Sequence, residues 1–259
     1  MARKIVVTSG KGGVGKTTIT ANLGYALAKK GLRVAMMDLD LGLNNLDVAF
    51  GVENKVVFDV VDVIEGRCRL KQAFLQNADH PSLYILPSCH SSSQSCITAQ
   101  NVRLLTQKMN DMFDYIFIDS PAGIDNGFHR AASCADEAIV VCTPHVSSIR
   151  DADKVLHLLK SYDLLSVKIV VNRLRGDLVQ KGEMIDAFQI FSLLNAKPLG
   201  IVPDWDPIAT YAVGEGSDVT ADSVFRILAQ NLHDGTSFMY DCSAPYKGFW
   251  GKIKRRLLR

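Results

Sequence analysis

Residues 10–17 of the chain read Gly10-Lys11-Gly12-Gly13-Val14-Gly15-Lys16-Thr17. An apolar run, Ile5–Val7, comes before this stretch, and a helical pattern over Thr17–Lys30 comes after it. A Gly-x-x-x-x-Gly-Lys-Thr sequence between a strand and a helix is the pattern of a phosphate-binding loop. The glycines let successive backbone N–H groups turn towards an anion, and the helix N-terminus adds a partial positive charge. The stretch therefore predicts an α/β fold that binds a nucleotide.

The loop also predicts how the nucleotide and its metal are held. Lys16 is expected to reach the β- and γ-phosphates, and the Thr17 hydroxyl is expected to hold Mg²⁺. ATP and Mg²⁺ are the predicted cofactors, and the chain contains no Asn-Lys-x-Asp sequence of the guanine-binding type. Lys11 is unusual, because a loop of this kind needs only one lysine. The other residues predicted to contact the nucleotide here are Gly10, Lys11, Gly12, Gly13, Val14, Gly15 and Thr18.

The length and composition suit one α/β domain with a sizeable core. The chain has 259 residues, of which 47% are hydrophobic. No stretch approaches the roughly 18 consecutive apolar residues of a membrane span, and the run Ile5–Val7 is too short for a signal peptide. The six cysteines show neither a Cys-x-x-Cys pair nor zinc-ligand spacing. We therefore expect reduced thiols and no metal other than Mg²⁺.

Apolar runs alternate with helical patterns over residues 1–237, which we interpret as one nucleotide-binding domain. Continuous apolar strands are typical of a parallel sheet that is covered on both faces. The sequence therefore predicts a mostly parallel twisted sheet with helices on both faces. The predicted strands are Lys4–Thr8, Arg33–Met37, Leu83–Leu86, Tyr115–Ile118, Glu137–Cys142, Val167–Val171 and Leu199–Val202. The predicted helices are Thr17–Lys30, Asp59–Glu65, Ile97–Asp111, Ile149–Tyr162, Glu183–Leu194 and Ser223–Asn231.

Aspartates stand at the ends of two predicted strands. Asp38 and Asp40 end the second strand, and Asp119 ends the fourth. Ligands of α/β sheets lie beyond the carboxyl ends of the strands, so these side chains should lie beside the phosphate-binding loop. A carboxylate at the end of an apolar strand can hold the magnesium shell, which is the role predicted for Asp119. For Asp38 the alternative is that it caps the segment that follows.

The last residues, 247–259, combine basic and apolar side chains. The net charge of the whole chain is +2, but this segment contains no acidic residue, so the remainder is net acidic. On a helix, Phe249, Trp250, Ile253 and Leu257 fall within one arc of about 100°. The basic residues Lys252, Arg255 and Arg256 fall outside this arc. The pattern predicts a helix that lies in the plane of an anionic membrane, joined by a flexible linker at 238–246. The alternatives are packing on the body of the protein and nucleic-acid binding.

These motifs together resemble the MinD family of septum-site-determining ATPases, which belongs to the "deviant Walker A" group. The resemblance covers the loop at 10–17 and five further stretches along the chain: Asp38-x-Asp40-x-Gly42 with Asn45-Leu46-Asp47, Val57-Phe58-Asp59-Val60, Leu83-Tyr84-Ile85-Leu86-Pro87, Asp119-Ser120-Pro121-Ala122-Gly123 and Val146–Asp153. It implies that Lys11 crosses a dimer interface to the partner's nucleotide, so that Lys11 and Lys16 act together with Asp40, which positions the attacking water. Asp38 would then belong to the switch and Mg²⁺ network beside Thr17 and Asp119.

The resemblance also implies that two loops clasp the adenine. Asn172 ends the strand Val167–Val171, and Pro203-Asp204 follows the strand Leu199–Val202. An ordinary turn at Pro203-Asp204 is the alternative interpretation of that loop. The sequence departs from the family pattern at His145, which replaces an acidic residue, and over Asp206–Gly216.

The partners implied by the resemblance are a second copy of the chain bound in the presence of ATP, an anionic membrane surface, a MinC-like division inhibitor and a MinE-like activator. No specific nucleic acid is expected, and the implied location is the cytoplasmic face of the cell membrane. The alternative functions are a ParA-like DNA-partitioning ATPase and a flagellar-number-regulating ATPase. A third alternative, an iron–sulfur protein, would have to use Cys89 and Cys96, which lack the spacing of cluster ligands.

Overall fold

A computed structural model of the protein describes residues 1–40, 45–77, 80–89, 97–206, 208, 213 and 219–247. Within these residues, eight strands form one sheet. The strands are β1 (Arg3–Thr8), β2 (Val34–Asp38), β3 (Leu75–Gln76), β4 (Leu83–Leu86), β5 (Tyr115–Asp119), β6 (Glu137–Cys142), β7 (Ser166–Leu174) and β8 (Lys197–Pro203). All seven predicted strands are present, and β3 is an addition.

The strand order is β3-β4-β2-β5-β1-β6-β7-β8, and β1 occupies the middle. Every pairing is parallel except that of β3 with β4 at the edge. Parallel pairing brings the carboxyl ends of β2, β5 and β1 to one edge of the sheet, where Asp38 lies opposite Asp119 and Asp119 opposite Val7. The predicted cluster of strand-end carboxylates therefore forms.

Helices cover both faces of the sheet. On one face, α1 (Lys16–Lys29) and the long helix Val219–His233, here α10, contact each other and bury side chains such as Leu23 and Leu228. The short α2 (Asn45–Ala49) adds Leu46 to this core. The opposite face carries α3 (Val60–Ile64), α4 (Leu70–Ala73), α5 (Ala99–Met109), α6 (Asn126–Ala132), α7 (Val146–Leu159), α8 (Gly176–Lys181) and α9 (Ala187–Leu194). None of the described helices is both long and apolar enough to cross a membrane.

Local hydrogen bonds decide where several helices begin. The carboxylate of Asp59 accepts the N–H groups of Val61 and Asp62 and so starts α3 one residue later than predicted. Asp186 caps α9 in the same way, which shortens the predicted helix Glu183–Leu194 to Ala187–Leu194. At α7 the helix begins at Val146 instead of Ile149. There the Ser148 hydroxyl accepts the Thr143 N–H group.

The segment 238–246, for which a flexible linker is predicted, makes specific contacts with the body of the protein. Cys242 is buried in the core beside the start of α8, and the Asn231 side chain bonds both the carbonyl oxygen (2.6 Å) and the N–H group (2.9 Å) of Phe238. The Lys247 ammonium group bonds Asp241 at 2.6 Å. The segment has no periodic pattern, so its attachment depends on these individual contacts. The predicted membrane helix lies outside the described residues, apart from Lys247.

Gly176 allows this segment to lie against the start of α8. A Cβ atom at Gly176 would collide with the carbonyl group of Cys242 and would approach the Ser243 nitrogen to 2.9 Å. We expect Gly176→Ala to lower the free energy of unfolding by ~1–3 kcal/mol, measured by urea denaturation, and to expose residues 238–247 to limited proteolysis. Gly182→Ala is the control, because Gly182 has a positive φ but open space around it. It should destabilise the protein without exposing the segment. Equal protease resistance of both variants would contradict the assignment.

Candidate nucleotide-binding site

The phosphate-binding loop lies between β1 and α1, as predicted. Gly13 (φ 74°) and Gly15 (φ 97°) adopt the left-handed conformation that glycine tolerates best. Gly15 occupies the N-cap position of α1 and offers no side chain to the first turn, so no side-chain bond caps the N–H groups there. Uncapped N–H groups at a helix N-terminus can bind an anion. The loop geometry therefore fits a phosphate group.

A cavity of about 420 Å³ opens along this loop and reaches the beginning of α7. Lys16, the first residue of α1, is only 7% exposed, whereas Lys11 is exposed. The cavity is also lined by residues for which the sequence predicts no role in nucleotide binding. They are Thr143, His145, Ser147, Ser148 and Arg173, which come together because β6 pairs with β1 and β7 pairs with β6.

The residues predicted to hold Mg²⁺ lie together at the carboxyl edge of the sheet. The Thr17 hydroxyl donates to Asp119 Oδ2 at 2.6 Å, and the Thr20 hydroxyl lies 3.4 Å from Asp119 Oδ1. Asp119 is fully buried, and both this burial and the neighbouring charge of Asp38 raise its pKa. A divalent cation would compensate this buried negative charge. The hydroxyl and carboxylate oxygens are the ligand type that Mg²⁺ prefers, so the site fits that ion.

Asp38 has a different set of contacts from Asp119. Its carboxylate accepts the backbone N–H groups of Asp40 (2.8 Å), Asn45 (3.0 Å) and Leu46 (3.2 Å). Asn45 and Leu46 are the first residues of α2, so Asp38 caps this helix, which was the alternative interpretation from the sequence. Burial raises the pKa of Asp38, and the three N–H groups oppose that shift. Direct coordination of the metal is therefore better suited to Thr17 and Asp119.

Asp40 lies at the border between the site and the solvent. Burial raises the pKa of its carboxyl group, and the charge of Lys16 acts in the opposite direction. The Asn45 side-chain amide lies 3.5 Å from Asp40 Oδ2, and the Ser88 hydroxyl lies 3.4 Å from the Asp40 carbonyl oxygen. Gly42, which belongs to the same motif, falls outside the described residues.

Lys11 extends from the loop towards α7. Its ammonium group donates to the Ser147 hydroxyl at 3.3 Å, which is a long hydrogen bond. The loop and the helix also touch at Gly10, where a Cβ atom would collide with the Asp151 backbone. The signature lysine is therefore held at the surface beside α7.

The two loops predicted to clasp adenine are neighbours in the structure. Leu174 of β7 pairs with Pro203 of β8, and the Asp204 N–H group donates to the Leu174 carbonyl oxygen at 3.1 Å. Asn172 is 4% exposed, and its side-chain amide donates to the Val14 carbonyl oxygen at 2.8 Å. This bond attaches β7 to the phosphate-binding loop. The structure thus gives Asn172 a contact that the motif did not predict.

The cysteines take no part in this site. Burial raises the pKa of Cys142 to about 12, as expected for a thiol in the core. Cys89 is buried in the same core, and Cys96 falls outside the described residues. Within the described part of the chain, no group of three or more His, Cys, Asp or Glu residues could hold a metal ion.

Comparison with known proteins identifies the family. Residues 5–214 match the CobQ/CobB/MinD/ParA nucleotide binding domain. The septum site-determining protein MinD of Synechocystis is 40% identical over 265 aligned positions, which cover 100% of this chain and 99% of that protein. The chain belongs to the MinD family. Membership of this family makes the chain a P-loop ATPase of the septum-site-determining type, and it confirms the resemblance stated from the motifs.

Solved structures of MinD proteins share the fold. A chain of the MinC:MinD cell division protein complex from Aquifex aeolicus matches with a TM-score of 0.82 and 39% identity. The match covers 92% of this chain and 97% of that chain. MinD from Pyrococcus horikoshii, solved as a complex with Mg-ADP, matches with a TM-score of 0.77 and 27% identity over 90% of this chain and 96% of its own. The predicted α/β P-loop fold is therefore confirmed.

Proposed function

We propose that the protein is an ATP-driven switch that dimerises, binds the cytoplasmic face of the membrane and helps to place the division septum. The observation that carries this proposal is the different exposure of the two lysines of the loop. Lys16 is buried beside the site, and Lys11 is exposed beside α7. Only one of them is needed to bind the nucleotide of the same chain. The exposed Lys11, held by one long bond to Ser147, is available to the nucleotide of a second copy.

ATP and Mg²⁺ are the cofactors of this switch. The proposal is supported by the hydroxyl–carboxylate pair Thr17–Asp119 and by the Mg-ADP complex of the Pyrococcus relative. Thr17 and Asp119 would hold Mg²⁺, which would supply positive charge to neutralise that of the phosphates. The chain's own contribution is to orient the phosphates with Lys16 and the loop N–H groups, and to position a water molecule with Asp40. Asn172, Pro203 and Asp204 are proposed to contact the adenine from one side.

The start of α7 is the surface proposed for protein partners. Val146 is 84% exposed, and Arg150 and Asp153 are exposed on the same helix. These exposed side chains are accessible to another protein. The MinC:MinD complex from Aquifex supports a MinC-like inhibitor as one partner. A MinE-like activator is the proposed partner that stimulates hydrolysis and ends the bound state.

Residues 247–259 are proposed to attach the protein to the membrane. Partial burial of Phe249, Trp250, Ile253 and Leu257 would contribute ~4–8 kcal/mol, and each basic residue near anionic lipid would add about 1 kcal/mol. Ordering the helix costs roughly 1–2 kcal/mol per residue, so a single tail should bind marginally. Two tails on one dimer bind with much greater avidity. ATP-dependent dimerisation would therefore also control membrane binding.

Cosedimentation with anionic vesicles tests this proposal. The wild-type chain should pellet with ATP but not with ADP or without nucleotide, and deletion of residues 248–259 should abolish pelleting. Ile253→Glu should lower the bound fraction by about tenfold or more, because it places a charge on the apolar face. Leu165→Glu makes the same charge change at an exposed position of the body and should bind like the wild type.

Two outcomes would count against the membrane switch. Unchanged lipid binding by Ile253→Glu would refute the tail as the anchor. Absence of pelleting with any nucleotide, together with steeply salt-dependent DNA binding, would favour a partitioning ATPase instead.

A further inference from the structure

A groove of about 890 Å³ lies between α8 and α9, and none of its lining residues belongs to the cavity beside the phosphate-binding loop. Its apolar lining consists of Val179, Met184, Ile185, Phe188 and Leu193. Nothing in the proposed ATPase chemistry uses these residues. A large groove with several apolar side chains on a protein surface is usually a binding site. Its occupant has to be identified from the residues around it.

Helix α9 presents apolar side chains on both of its faces. Ala187, Ile190 and Leu194 are buried against the sheet and supply the inner face. Phe188 and Leu193 project outwards and are 60% and 67% exposed, respectively. A helix that packs on one side only should carry polar residues on the other. The outer face of α9 therefore combines two exposed apolar side chains with Gln189 and Ser192, and the apolar pair is suited to contact a second apolar helix.

The described part of the chain ends beside this groove. The backbone at Cys242 lies directly on Gly176, the first residue of α8. The short 3₁₀ turn Ala244–Tyr246 also contacts α8. The chain thus reaches Lys247 alongside α8, one of the two helices that form the groove. As a helix, residues 248–259 would extend roughly 18 Å, and α9 extends about 12 Å. The remaining segment is long enough to cover the groove.

The charges on the two sides are complementary. Glu183 and Asp186 line the groove, whereas Lys181 at the end of α8 does not belong to the lining. The segment that follows Lys247 carries Lys252 and Arg255 next to its apolar residues and has no acidic residue. The apolar and basic residues of this segment are therefore complementary to the apolar and acidic residues of the groove.

We propose that residues 248–259 of the same chain dock in the α8–α9 groove when the protein is free of lipid. Phe249, Ile253 and Leu257 would contact Phe188 and Leu193, and the basic side chains would lie near Glu183 and Asp186. Lipid and the groove would then compete for the same apolar side chains, so the docked segment could not bind the membrane at the same time. The evidence for docking is the lining of the groove and the position at which the described chain ends. Its effect on membrane binding rests on the membrane function proposed above.

Hydrogen exchange of the full-length chain, without lipid and without nucleotide, tests the docking. The backbone amides of residues 249–258 should exchange on the order of tenfold more slowly than those of an unstructured peptide. Phe188→Glu and Leu193→Glu each place a charge in the groove at an exposed position and should bring these amides to within about twofold of the unprotected rate. Leu104→Glu is the matched control, because Leu104 is exposed on α5, which contacts α3 and α6. It should leave the protection unchanged.

Three results would overturn the docking: an unprotected tail in the wild type, protection that both groove variants retain, or protection that depends on protein concentration. The last result would mean that a second copy occupies the groove. Pelleting of the same preparations with phosphatidylglycerol vesicles separates this inference from the proposed function. ATP-dependent pelleting with an unprotected tail refutes the docking alone. A protected tail without pelleting under any nucleotide supports the docking and refutes the membrane function.

Discussion

Replacement of Lys16 by alanine is expected to abolish tight ATP binding while the protein remains folded. Lys16 is the first residue of α1 and is largely buried beside Asp119 and Asp40, so its charge acts on the bound phosphates with little screening by water. A hydrogen bond to a charged group contributes about 1.5–3 kcal/mol, and two such bonds to phosphate oxygens correspond to roughly 10²–10⁴ in affinity. Binding of a fluorescent ATP analogue measures the loss, and circular dichroism checks the fold.

Lys11→Ala is the matched control, because it removes the same charge from the same loop. Lys11 is exposed and contacts Ser147, so the variant should bind ATP within several-fold of the wild type. It should nevertheless fail to form the ATP-dependent dimer, since the proposed contact with the partner's nucleotide is missing. Equal affinities for ATP in the wild type and in Lys16→Ala would remove Lys16 from the phosphate site. A dimerising Lys11→Ala variant would refute the division of labour between the two lysines.

Much of the sheet could be predicted from the sequence, because its strands are buried on both faces. A strand such as β6 (Glu137–Cys142) is then an apolar run with clear ends, and its bounds match the prediction. The edge strand β3 could not be predicted in this way. It contains only Leu75 and Gln76, and its existence depends on antiparallel pairing with β4. Two residues are too few to establish a period.

The composition of the site could also be predicted, but not every contact within it. Parallel strands bring their carboxyl ends together, so Asp38 and Asp119 had to meet near Thr17. The orientation of Asp38 depends on α2, a helix of five residues that has no pattern of its own in the sequence. Asn172 likewise bonds the Val14 carbonyl oxygen, a contact between positions far apart in the chain. Such contacts depend on the tertiary arrangement and not on local periodicity.

The contacts of the segment 238–246 also depend on the tertiary arrangement. Its lack of periodicity predicts a linker, yet Cys242 is buried and its carbonyl group lies where a Cβ atom of residue 176 would be, a space that Gly176 leaves open. A glycine that permits close approach of two backbones is indistinguishable in the sequence from one that begins a turn. The path of the chain towards the α8–α9 groove could therefore be seen only in the structure.

Asp40→Ala should separate ATP-dependent dimerisation from hydrolysis. Phosphoryl transfer to water requires an oriented nucleophile, and Asp40 is the partly buried carboxylate whose charge interacts with Lys16. Its backbone N–H group donates to Asp38 at 2.8 Å, and alanine retains this bond. The loop and the Thr17–Asp119 pair should therefore stay intact, so ATP should still bind and the dimer should still form. Loss of the water-positioning group should lower the hydrolysis rate by about 10²–10⁴.

Single-turnover phosphate release measures the rate, and sedimentation velocity with ATP measures the dimer. Asp222→Ala is the control for loss of one carboxylate, because Asp222 is exposed and pairs with Lys29 at the C-terminal end of α1. It should hydrolyse ATP at the wild-type rate. Wild-type turnover in Asp40→Ala would remove this residue from the reaction, and loss of the dimer would assign it to nucleotide binding. A stable dimer with slow hydrolysis differs from the Lys16→Ala result, in which neither step occurs. Only that difference assigns phosphate binding to one residue and water positioning to the other.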